Sequence, residues 1–92
     1  MSKAAARHIL VESEELCLDL KKLIEEGADF EALASEHSTC PSGKNGGALG
    51  TFGKGAMVPE FDAVVFSAPI GEVQGPVKTQ FGFHLLEVTM RS

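Results

Sequence analysis

Residues 5–11, Ala-Ala-Arg-His-Ile-Leu-Val, decide the fold. In an extended chain the side chains alternate, so Ala6, His8 and Leu10 share one face while Arg7, Ile9 and Val11 share the other. Both faces carry apolar groups. That pattern predicts a strand in the middle of a sheet, covered on each side. It also places His8, a titratable ring, inside the structure.

Outward from this strand, Ser13-Glu14-Glu15 supplies an N-cap and two acids for a first helical turn, where the helix dipole favours them. Leu16, Leu20, Leu23 and Ile24 follow at helical spacing, and Gly27 predicts the stop. Asp29 opens a second helix with Phe30, Leu33, Ala34 and His37 on one stripe. That helix fails near Cys40, which precedes Pro41 and is pushed out of the α region. From Pro41 to Gly55 the fifteen residues hold six of the ten glycines, predicting a long tight loop with a short strand, Ala48–Phe52, inside it.

Pro59 fits the first turn of a third helix, with Phe61, Val64 and Val65 as its apolar stripe and Pro69 as its end. Gly75–Thr79 predicts a strand that begins with an edge-type proline, Pro76. Phe83–Thr89 predicts the last strand, with His84, Leu86 and Val88 on one face. The order β-α-α-β-α-β-β gives an α+β domain with a small, mainly antiparallel sheet, one domain over residues 1–92.

Composition narrows the function classes. Eight basic residues against 13 acidic ones leave a net charge of −5, with no cluster of Lys or Arg. Binding to nucleic acid or to an anionic membrane is therefore disfavoured. No apolar run reaches the ~20 residues of a membrane span, and no secretory leader is visible at the N-terminus. Two cysteines are too few for a disulfide-stapled domain, so a reducing, cytoplasmic location is the expectation. Nothing in the pattern suggests a large exposed apolar seam, so a monomer is expected. Cys17 reads as a small buried hydrophobe.

Two histidines, His8 and His84, lie mid-strand at opposite ends of the chain. If the first and last strands pair, the imidazoles come within hydrogen-bonding reach, and each can satisfy the other. Met57, Phe61 and Phe81 flank turns and glycines; beside the two histidines and Thr79 they outline an apolar pocket with a few polar groups at its edge. Cys40, in its polar loop, is either incidental or placed to face that pocket.

The stretches Ala-Arg-His-Ile-Leu-Val, Phe-Glu-Ala-Leu-Ala-Ser-Glu-His-Ser-Thr-Cys-Pro-Ser-Gly, Gly-Gly-Ala-Leu-Gly-Thr-Phe, Gly-Ala-Met-Val-Pro-Glu-Phe and Gly-Pro-Val-Lys-Thr-Gln-Phe-Gly-Phe-His resemble, in this order, a parvulin-type peptidyl-prolyl cis/trans isomerase. The resemblance covers residues 4–91 and is strongest to the small single-domain bacterial parvulins. It implies a four-stranded antiparallel sheet wrapped by helices. It implies a site with His8, Cys40, Thr79 and His84 as catalytic groups and Leu49, Met57, Phe61 and Phe81 as the proline pocket. It implies no metal or other cofactor, and proline-containing peptides and unfolded chains as partners.

One departure bears on specificity. The phosphate-directed branch of the family carries a long basic loop after the first strand, whereas this chain has Glu12-Ser13-Glu14-Glu15. An uncharged or hydrophobic residue before proline is expected, and phosphoserine there is not.

Three other readings compete. A metal site from His8, His37, Cys40 and His84 matches no compact chelating spacing. A Cys40–His84 hydrolase lacks an evident oxyanion hole. A peptide-binding or chaperone module without catalysis would use the same pocket.

Overall fold

In the computed structural model, which describes residues 3–91, strands β1 (Lys3–Val11), β2 (Ala48–Gly53), β3 (Val73–Thr79) and β4 (Gly82–Arg91) form one antiparallel sheet in the order β2-β1-β4-β3. Helices α1 (Glu14–Glu25), α2 (Phe30–His37) and α3 (Pro59–Val65) surround it, and a 3₁₀ turn spans Pro41–Asn45. The predicted class, element order and central position of the first strand all hold.

The local signals act as expected. The Ser13 hydroxyl accepts from Leu16 N–H at the start of α1, and the Asp29 carboxylate accepts from Glu31 N–H at the start of α2. Gly27 ends α1 with φ +108°, a value that suits glycine.

The first, second and last strands run one or two residues beyond their expected limits, and three further details differ from expectation. The third helix stops at Val65, short of Pro69. The glycine-rich loop contains the 3₁₀ turn, which no apolar period announces. The edge strand begins at Val73, so Pro76 sits inside it, not at its start. Proline is tolerated there because β3 is an edge strand and its pairing with β4 breaks register between Gln74 and Val77.

Each sheet face has its own core. Ile9, Val11 and Leu85 pack on one side with Cys17 and Leu20 of α1 and with Phe30 and Ala34 of α2. Ala4, Ala6, Leu86 and Val88 pack on the other with Phe52, Phe61 and Val65. Cys17 is fully buried among apolar side chains, as its helical position predicted, and burial pushes its thiol up to about 11. Among the described residues the second face has the seven-residue α3 and the glycine-rich segment to cover it, and the site lies there.

Candidate active site

β1 and β4 pair antiparallel, with Leu10 opposite His84 and His8 opposite Leu86. The histidines are thus diagonal neighbours on one face, a separation that two long side chains can bridge. Their Nδ1 atoms are 3.1 Å apart, with the rings nearly parallel at 16° and both residues buried. The Phe61 ring stands edge-on to both imidazoles, its centroid 5.5 Å from that of His8 and 4.6 Å from that of His84.

The pair belongs to a longer chain of hydrogen bonds. Phe81 N–H donates to Thr79 Oγ1 (3.2 Å), and Thr79 Oγ1 lies 2.7 Å from His84 Nε2. On the other side His8 Nε2 lies 3.0 Å from Ser42 Oγ, which donates to Cys40 Sγ at 3.2 Å. One direction gives every proton in this chain a single acceptor. Thr79 O–H donates to His84 Nε2, His84 Nδ1–H to His8 Nδ1, and His8 Nε2–H to Ser42 Oγ. Both rings are neutral in this arrangement. Burial, and secondarily the neighbouring His84, lowers His8 to about 4, and burial likewise lowers His84 against the opposing pull of Glu60.

Above this floor opens a cavity of about 380 Å³, lined by His8, Leu10, Thr39, Cys40, Pro41, Leu49, Met57, Val58, Phe61, Phe81 and His84. Seven of the eight residues expected at the site line it. Thr79, the eighth, stands behind His84 and reaches the cavity only through that ring. Phe61 is a buried wall, whereas Phe81 is a rim residue, 61% exposed. His37 lies outside the lining, half-buried, its Nε2 3.7 Å from Glu36 Oε1. Among the described residues no group of three or more His, Cys, Asp or Glu is disposed to hold a metal ion.

Sequence reasoning missed two kinds of residue. Leu10 was within reach of the strand alternation, since it shares a face with His8. Ser42 was not, because its placement depends on the 3₁₀ turn. That turn is held in part by Gly47, whose carbonyl accepts from His8 N–H at 2.9 Å. Gly47 has φ +85°, and a Cβ there would stand 2.2 Å from the His8 carbonyl oxygen. Only glycine permits so close an approach.

An apolar cavity floored by paired neutral imidazoles, on a four-stranded antiparallel sheet with three surrounding helices, defines the parvulin class of peptidyl-prolyl isomerase domains. The profile of the rotamase family, described as the PPIC-type PPIase domain, matches residues 3–90, and the chain belongs to that family. It is 46% identical over 88 residues to the foldase protein PrsA of Geobacillus kaustophilus, an alignment covering 95% of this chain and 31% of that protein. The crystal structure of the peptidylprolyl isomerase PrsA from Bacillus anthracis superposes with a TM-score of 0.96 at 37% identity, over 99% of this chain and 42% of that one. The solution structure of NmPin, the parvulin of Nitrosopumilus maritimus, superposes with a TM-score of 0.86 at 36% identity, over 96% of both chains. The chain therefore spans less than a third of the PrsA protein it resembles and nearly all of the small parvulin.

Proposed function

We propose that this domain accelerates cis/trans rotation about X–Pro bonds in flexible or unfolded polypeptides, by non-covalent stabilisation of the twisted imide. The observation that carries the proposal is the apolar cavity of Met57, Phe61, Leu49 and Phe81 set directly on the neutral His8–His84 pair. Membership of the PPIC-type family and the name foldase borne by the PrsA relatives support the same reading.

The chemistry asks for little else. Amide resonance opposes rotation with a barrier of about 18–20 kcal/mol, and the uncatalysed process takes tens to hundreds of seconds, roughly. No bond to the substrate has to form and no proton has to leave it. The protein needs only to bind the twisted bond better than either planar form. Met57 and Phe61 hold the pyrrolidine ring and exclude the water that stabilises the planar, more dipolar amide. Phe81 closes over it from the rim.

The hydrogen-bonded chain from Phe81 N–H to Cys40 Sγ fixes the polar edge of the cavity in one orientation. Each group in it makes a modest, preorganised contribution to the rotating carbonyl. Cys40 touches the cavity with its thiol held by Ser42 and serves as part of that polar edge, not as a nucleophile. Thr79 acts through His84 by fixing its tautomer.

Uncharged or hydrophobic residues are the preferred partners before proline, because the cavity lining carries no Lys or Arg. A cytoplasmic monomer completes the proposal; light scattering and cell fractionation test those two points.

The decisive measurement is magnetisation exchange between the cis and trans signals of a short Ala-Pro peptide, with and without the protein. Faster exchange is expected, and slower or no gain with phosphoserine before proline. Binding without faster exchange would make the domain a peptide-holding module instead.

A further inference from the structure

The two walls of the proline cavity come from different backbone segments. Phe61 stands in the first turn of α3, whereas Met57 stands in the loop that joins β2 to that helix. The loop is short and glycine-containing, Gly53-Lys54-Gly55-Ala56-Met57-Val58, and Gly55 has φ +89°. Among the described residues its internal tie is one turn bond, Ala56 N–H to Gly53 O at 3.2 Å. Such a segment has ample freedom to let Met57 swing away from Phe61.

A second tie comes from the helix. Gly55 N–H donates to Asp62 Oδ2 at 2.7 Å, a charge-assisted bond across seven residues. Asp62 directly follows Phe61, so one carboxylate links the tip of the Met57 loop to the turn that carries the opposite wall. Its other oxygen, Oδ1, is buried without a hydrogen-bond partner among the described residues. A buried, unsatisfied carboxylate oxygen costs stability.

We propose that Asp62 is a positioning residue of the isomerase site, whose carboxylate pins the Gly55 turn so that Met57 faces Phe61 across the proline ring. The inference rests on the isomerase reading for its substrate, and on the Gly55–Asp62 geometry for its mechanism. Loss of the clamp loosens the slot that receives the ring, so the effect falls on substrate capture more than on the polar edge that attends the carbonyl.

The test compares D62A and D62N with the parent protein on one Ala-Pro peptide. D62A should raise KM about fivefold with kcat within twofold, and should shift the Met57 methyl resonance. D62N keeps a carbonyl oxygen for the Gly55 amide and should return KM to within twofold of the parent, with the Met57 signal restored.

A fall in Tm with unchanged KM and an unmoved Met57 methyl would make Asp62 merely structural and overturn the proposal. Should D62A fail to fold, amide exchange in the parent protein decides instead. The Gly55 amide must exchange more slowly than that of Lys54, and equal rates overturn the clamp. If the parent protein binds the peptide but does not speed its exchange, only the isomerase reading fails. The peptide dissociation constant then replaces KM in the same comparison.

Discussion

β1 sends Arg7 to one side of the sheet and His8 to the other, and the two sides treat them differently. On the face covered by α1 and α2, Arg7 reaches Glu87 at 2.5 Å and Glu31 at 3.6 Å, with its guanidinium 4.7 Å above the Phe30 ring. A groove of about 720 Å³ runs beside it, walled by Glu25, Asp29, Glu72 and Glu87. Arg7 is thus paired with two carboxylates at a partly exposed position. On the opposite face His8 is shut away from water under Phe61 and gives up its charge, finding partners in neutral groups alone. On one face the polar side chain keeps charged partners beside a polar groove, whereas sparse cover on the other leaves an apolar cavity with an ordered polar floor.

The comparison breaks most easily on the packed face. Leu85→Ala removes a fully buried side chain from that core. It should cost about 2–5 kcal/mol of stability and leave kcat/KM of the folded protein within twofold; urea unfolding beside a peptide assay reads both. A tenfold drop in kcat/KM there would mean that the two faces are not separable.

Acid sharpens the contrast. The His8 imidazole of the unfolded chain takes a proton near 6.5, whereas in the folded protein burial delays this to about 4. As pH falls from 6.5 towards 4, the unfolded state binds protons that the folded state refuses. Stability therefore declines through that window, by on the order of 3 kcal/mol from His8 alone. A protonated His8 would also turn an N–H towards the Nδ1–H of His84, so activity should fade on the acid side. His8→Asn should flatten the stability profile between those pH values, and an unchanged profile in that variant would remove His8 from the account.

Phe61→Ala tests the cavity face by itself. It takes away a wall of the slot and the ring that shields both imidazoles, so kcat/KM on X–Pro peptides should fall tenfold or more, about 1.4 kcal/mol per decade. Unchanged turnover would dismiss the pocket. The smallest effect is expected at Cys40→Ser, which keeps a hydrogen-bonding group beside Ser42 and should retain substantial activity. Complete loss there would restore a covalent role for the thiol.

What could be read from the sequence follows from forces that act within a few residues. Alternation in 5–11 and 83–89 assigned faces, and side-chain caps at Ser13 and Asp29 with glycine at 27 bounded the helices, because each depends on neighbours along the chain. The pocket residues were legible as residue types, and the ordered motifs supplied their grouping.

Tertiary structure alone decided three things. The diagonal register of His8 and His84 depends on pairing across 76 positions of sequence. The arrival of Ser42 at His8 depends on a 3₁₀ turn docked through Gly47, and the grip of Asp62 on Gly55 on how a glycine loop folds back onto a helix. Hydrogen bonds between segments leave no period in the sequence, since a donor and an acceptor distant along the chain are matched only when packing brings them together.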